Sequence, residues 1–95
     1  METRTLQHTS LTVSRVCCGT MTSGAQTDEA SAFAMVRTCL DQGVTFFDTA
    51  NVYVAGASEI ILGRALKGHR DRVVLASKCA ARMGPASRSA PAARW

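Results

Sequence analysis

The chain is 95 residues long, 46% hydrophobic and 19% charged, which is enough for one small folding unit and excludes wholesale disorder. Its net charge of +4 belongs to its end: eight Lys/Arg face all seven acids within residues 1–78, and Arg82, Arg88 and Arg94 supply the rest. A near-neutral body with 5% aromatics excludes a nucleic-acid-binding face, and no apolar run approaches the ~20 residues of a membrane span.

In chain order, residues 3–7 and 11–15 read as two short extended stretches around His8-Thr9-Ser10, a hairpin with a three-residue loop. Residues 16–20 form a short apolar strand on which Cys17 and Cys18 point to opposite faces. A helix follows, with Thr27 as the expected N-cap, Asp28 and Glu29 as acids in the first turn, and Gly43 as the stop. Ala32, Met35, Val36, Cys39 and Leu40 fall on one apolar stripe of that helix. Residues 45–48 are the next strand. A second helix begins near Ser58 and Glu59, buries Ile61, Leu62, Ala65 and Leu66, and ends at Gly68. Residues 73–77 form a strand whose continuous apolar character predicts cover on both faces.

These strands begin near 16, 45 and 73, each pair joined by one helix, so the fold class is α/β with parallel strands. A (β/α)₈ barrel uses about 31 residues per unit, and a doubly wound sheet begins the same way; spacing leaves both open. Residues 79–95 break the pattern with six alanines, three arginines, both prolines and no acid. The expectation is a folded region over 1–78 and a disordered Ala/Arg/Ser/Pro tail over 79–95, with a shifted reading frame after about Pro85 as its hypothesised origin.

The four cysteines, Cys17, Cys18, Cys39 and Cys79, form no C-x-x-C pair and have no histidine at zinc-ligand spacing. Buried free thiols, no metal and a reducing compartment are expected. The first residues carry an acid and no apolar leader, so the localisation expected is cytoplasmic.

Neither G-x-G-x-x-G nor G-x-x-x-x-G-K-[ST] occurs. The residues that could carry chemistry sit where parallel folds keep their sites, beyond the carboxyl ends of strands: Asp48, Tyr53 and Lys78. A free phenol is a weak acid at neutral pH, and an ammonium beside it favours phenolate. A carboxylate paired to that lysine holds it in place and charged. Such a tyrosine can protonate a carbonyl oxygen as charge develops there. Each residue also has a plain structural reading: Asp48 bonding loop N–H groups, Tyr53 packing its ring, Lys78 solvated at a strand end. Pattern alone leaves both readings open.

The stretch Phe46-Phe47-Asp48-Thr49-Ala50-Asn51-Val52-Tyr53, followed by Gly56-Ala57-Ser58-Glu59 and Leu62-Gly63-Arg64-Ala65-Leu66, resembles the aldo/keto reductase superfamily. Val13-Ser14-Arg15, Gly19-Thr20-Met21 and Val74-Leu75-Ala76-Ser77-Lys78 fit the same family in the same order, over residues 4 to 85. The resemblance implies the N-terminal third of a (β/α)₈ TIM barrel that reduces aldehydes and ketones with NADP(H). It implies an N-terminal hairpin covering the barrel's bottom, with Tyr53 as the general acid, Lys78 as its partner, and Asp48 as the residue paired to Lys78. Gly19, Thr20 and Met21, with Asp48, would lie beside the nicotinamide. The expected partner is a small carbonyl substrate.

Some features depart from the family. Its catalytic histidine at the end of the next strand has no counterpart, since His8 and His69 lie elsewhere; Ser23 and Cys17 replace an aromatic and an aliphatic residue. The 95 residues alone are expected to be inactive, with Phe46, Phe47, Val74 and Leu75 facing inward without partners and an open sheet edge able to associate with other chains.

Overall fold

The computed structural model describes residues 1–79; the tail expected beyond them lies outside the described residues. Strands β1 (Thr3–Thr5) and β2 (Thr12–Ser14) form the antiparallel hairpin, pairing Thr3 with Ser14, Arg4 with Val13 and Thr5 with Thr12. Leu6 N donates to Leu11 O at 2.8 Å, so the connecting loop is four residues, one more than expected, and His8 turns it with φ 64°.

The main sheet has three parallel strands in the order β3 (Cys17–Gly19), β4 (Phe46–Asp48), β5 (Val74–Ala76). Its register runs Cys17–Phe46–Val74, then Cys18–Phe47–Leu75, then Gly19–Asp48–Ala76. Because side chains alternate across a strand, the middle row faces one way and the two outer rows the other. Helices α1 (Glu29–Asp41) and α2 (Ala57–Ala65) cover the face of the middle row. There Phe47 is fully buried with Val36, Leu62 and Leu66, and Cys18, Cys39, Leu40, Ala65, Val73 and Leu75 pack around them.

This corrects the inward-facing set expected from sequence. Phe47 and Leu75 belong to the helix-side core, and only Phe46 and Val74 lie on the opposite face, half-buried beside an exposed Cys17. β5 is half-buried throughout rather than covered on both faces, because helices flank only one side of it among the described residues. The thiols divide in the same way: Cys18 and Cys39 are partly buried, while Cys17 and Cys79 are exposed, contrary to the expectation of four buried thiols.

The first helix starts one residue later than expected. Asp28, not Thr27, is its N-cap, and its Oδ1 accepts from Ser31 N at 2.7 Å. That bond from a backbone N–H holds the Asp28 carboxyl below its ordinary range. Thr27 is engaged otherwise: its hydroxyl meets Thr22 Oγ1 at 3.0 Å in the preceding loop. At the other end Gly43, with φ 84°, takes the left-handed position; its N–H reaches Leu40 O at 3.1 Å while Val44 N reaches Cys39 O at 2.8 Å. These two bonds make a Schellman stop. Within the stripe, Ala32 and Val36 are buried, but Met35 is 50% exposed, because α2 covers only the flank of α1 that carries Val36.

The hairpin is joined to the sheet's amino end through Ser14, which is buried. Its Oγ donates to Val16 O at 2.6 Å and accepts from Thr45 N at 3.0 Å. Among the described residues no helix is long and apolar enough to cross a membrane.

Candidate active site

Asp48, Tyr53 and Lys78 come together at the carboxyl end of the sheet. Asp48 is the last residue of β4, on the face turned away from the helices. Lys78 lies two residues past β5. Its Nζ donates to both carboxylate oxygens of Asp48, at 2.8 and 2.9 Å, and to Thr49 O at 2.9 Å. An ammonium has three N–H donors, so these bonds fix its position. The same Nζ stands 5.1 Å from the centroid of the Tyr53 ring, within cation–π range. Asp48 above all holds the Lys78 ammonium charged above the ordinary lysine range, against an opposing effect of desolvation, with the Tyr53 phenol adding a lesser push in the same direction as Asp48. The side chains of Lys78 and Asp48 are 50% and 37% exposed, so water screens the pair and a ligand can reach it.

The strand ends are locked by hydroxyl groups that the sequence reading passed over. Ser58, fully buried in the first turn of α2, donates to Thr20 O at 2.6 Å. Its oxygen lies 3.0 Å from Thr49 Oγ1 and 2.9 Å from Thr20 Oγ1. Thr20 Oγ1 also donates to Asp48 O at 2.9 Å. One small cluster therefore ties the ends of β3 and β4 to α2, directly behind the Asp48–Lys78 pair. A small polar residue in the first turn of an apolar helix was the one available signal, and it read equally well as a helix start.

Thr20 is thus turned into the protein and only 5% exposed, whereas Met21 is 63% exposed. Gly19 sits in register with Asp48, and a Cβ placed on it would meet nothing within 4 Å. Asn51 N donates to Lys78 O at 3.0 Å, and Asn51 Oδ1 is buried without a hydrogen-bond partner among the described residues. The turn that follows carries Tyr53. Val54 (φ 49°, ψ 43°) and Ala55 (φ 52°, ψ 35°) are both left-handed, ahead of Gly56 at φ 99°. Left-handed geometry costs a non-glycine residue about 1–2 kcal/mol, and two in succession are unusual for valine and alanine.

A cleft of about 820 Å³ lies between α1 and α2 and is lined by Phe33, Arg37, Arg64 and Arg72 among others. None of Asp48, Tyr53 and Lys78 lines it.

Known proteins share this arrangement of elements. The aldo-keto reductase AKR11C1 of Bacillus halodurans, solved in its holo form, superposes with a TM-score of 0.82 at 35% identity, covering 93% of this chain and 29% of that one. The oxidoreductase YrpG of Bacillus subtilis is 48% identical over 85 residues, which are 82% of this chain and 26% of the relative. The aldo-keto reductase YhdN of the same organism is 42% identical over 86 residues, 84% of this chain and 26% of the relative. The chain therefore spans about a quarter of the length of these curated relatives. The superposition decides what spacing left open: the hairpin, three parallel strands and two helices are the first part of a (β/α)₈ barrel, here incomplete. The Aldo/keto reductase family profile matches residues 15–94, and the chain belongs to that family.

Proposed function

We propose that the protein to which these residues belong reduces aldehydes or ketones to alcohols with NADP(H), and that Tyr53 donates the proton. The observation that carries this reading is the Lys78 ammonium, fixed by both oxygens of Asp48 and standing against the Tyr53 ring. An exposed ion pair adds little to stability, so a three-donor arrangement at the open end of a parallel sheet is better explained by chemistry.

In this mechanism Tyr53 gives its hydroxyl proton to the carbonyl oxygen as negative charge develops there. Lys78 stabilises the charge left on the phenol oxygen. Asp48 keeps Lys78 charged and prevents it from turning to solvent. The nicotinamide end of the cofactor fits the described residues in one respect: backbone is open at Gly19, beside Asp48, where a flat ring can approach. Gly19, exposed Met21 and Asp48 would hold it; Thr20, its hydroxyl bonded to Asp48 O, would contribute backbone only. When bound, NADP(H) supplies the hydride that reaches the carbonyl carbon.

The 95-residue chain by itself is proposed to be catalytically silent. The test is a chimera in which residues 1–78 replace the corresponding part of the YhdN reductase, assayed for NADPH consumption with a panel of aldehydes. Turnover that falls by about a hundredfold or more on Tyr53→Phe, consistent with general-acid catalysis, supports the reading. Equal turnover with phenylalanine at 53 sinks it.

A second reading rests on the half-buried Phe46 and Val74 and exposed Cys17 of the helix-free face, together with the unpaired edge of β5 among the described residues. On this reading the chain associates with other subunits through that sheet. A soluble hetero-oligomer on a sizing column supports it, and a monomer counts against it.

A further inference from the structure

We propose that Gly24 is a positioning residue for Tyr53: the loop between β3 and α1 clamps the left-handed turn that carries the phenol, and Gly24 is its point of contact. The functional meaning of the clamp rests on the proton-donor reading of Tyr53; its geometry does not.

Consecutive left-handed valine and alanine persist only where their surroundings over-determine them. The loop over residues 20–27 is built to do this. Gly24 N donates to Thr27 O at 2.8 Å, Thr27 N to Thr22 O at 3.0 Å, Ala25 N to Thr22 O at 3.1 Å and Ser23 N to Thr20 O at 3.1 Å. The Thr22 and Thr27 hydroxyls close the same ring at 3.0 Å. Gly24 takes φ 95° within it, a conformation suited to glycine. A Cβ there would stand 2.9 Å from Ala57 Cβ, 3.3 Å from Ile61 Cδ1 and 3.7 Å from Val54 Cγ1. A Cβ at 24 would thus collide with Ala57, the first residue of the helix that follows the strained pair, and would reach only ordinary contact with Val54. Any side chain at 24 must displace Ala57 and, because Ala57 follows Gly56 directly, shift the turn that carries Tyr53.

The loop also begins at Thr20, which bonds Asp48 O through both its N–H and its hydroxyl. Asp48 holds Lys78. The two partners, phenol and ammonium, are therefore both linked to one hydrogen-bonded loop: Lys78 through Asp48 and Thr20, Tyr53 through Ala57 and Gly24.

The chain contains one tyrosine, so 3-fluorotyrosine labelling gives a single fluorine resonance that reports on Tyr53 alone. A Lys78→Met variant defines where that resonance lies without the ammonium. In Gly24→Ala the resonance is expected to move toward the Lys78→Met position or to split, in samples that circular dichroism shows to be folded. Adding Ala57→Gly to Gly24→Ala removes the methyl group that the new Cβ would meet at 2.9 Å, and is expected to restore a single resonance near the wild-type position. A folded Gly24→Ala chain with an unmoved resonance overturns the proposal, as does failure of Ala57→Gly to rescue a moved one. Should Gly24→Ala not fold, Ile61→Ala loosens the same contact without adding atoms; a split resonance then supports the clamp and an unchanged one overturns it. If Tyr53→Phe leaves the chimera's turnover intact while the fluorine resonance responds as described, the clamp stands and the proton-donor reading falls.

Discussion

Lys78 and Asp48 meet at 2.8 and 2.9 Å although 30 residues separate them, because β4 and β5 lie side by side and end at the same level. The pairing has a pH signature. Lys78 ionises above its ordinary value of 10.5 in the folded chain, chiefly because of Asp48. A group whose folded value is raised adds stability that is fully present below its unfolded value and disappears as pH climbs through the folded one. Denaturation midpoints should therefore show no Lys78 contribution to pH dependence around neutrality and a loss beginning above about 10.5, the ordinary lysine value. Lys78→Met should remove that part of the alkaline loss. An identical alkaline profile in the variant would show that the pair adds nothing to folding.

Ser58 should be expensive to truncate. Ser58→Ala leaves the buried Thr49 hydroxyl without its partner and removes the hydrogen on Thr20 O. A buried polar group stripped of its partner costs about 1–3 kcal/mol. Thr49→Val combined with Ser58→Ala should cost less than the two single changes together, since the double variant leaves fewer unmet groups. Strict additivity in urea denaturation would refute the network.

Leu62→Ala should cost about 2–5 kcal/mol, the range for a large aliphatic residue removed from a packed core. Leu62 is 2% exposed and touches the Phe47 cluster. Met35→Ala, on the same apolar stripe read from sequence, should stay within about 0.5 kcal/mol, as surface changes do. Comparable losses at the two positions would mean that α1 is covered more completely than α2 alone allows.

The thiols should divide two and two. Iodoacetamide at mild pH should label exposed Cys17 and Cys79 ahead of Cys18 and Cys39, with Cys17 slowed by partial burial and then by Asp48, which hold its thiol above the ordinary range. Burial, and then its contact with Cys39, push the Cys18 thiol up to about 12, so little of the reactive thiolate forms. Mass spectrometry that finds Cys18 labelled early would show that the sheet and α1 separate readily.

Much of the framework was legible because it follows from local chemistry. Gly43 had to end α1, and the alternation of three equally spaced strands with two helices required parallel pairing. That Asp48, Tyr53 and Lys78 lie at or beyond strand ends was legible, and the structure brings the three together, while pattern alone left their roles open. What sequence could not supply was facing. Phe46 and Phe47 look alike as residues, and only pairing with Cys17 or Cys18 tells which one meets the helices. Thr27 and Asp28 are both good caps, and the choice fell to Asp28 because the Thr22 hydroxyl engages Thr27. The left-handed Val54 and Ala55 were invisible for the opposite reason: nothing in either residue type favours that geometry.

The anchoring of the hairpin at Ser14 bears on the order in which the chain assembles. A hairpin closes over a handful of residues in microseconds, whereas each parallel pair must bring together segments roughly 28 residues apart, a closure whose entropy grows with loop length. Ser14 binds Thr45 N, and Thr45 O in turn accepts from Val74 N at 2.8 Å. One hydroxyl on the fast-forming hairpin thus seizes the amino end of β4, and through it the amino end of β5. Ser14→Ala should accordingly slow folding more than it hastens unfolding, with the hairpin acting as the seed on which the slower sheet registers.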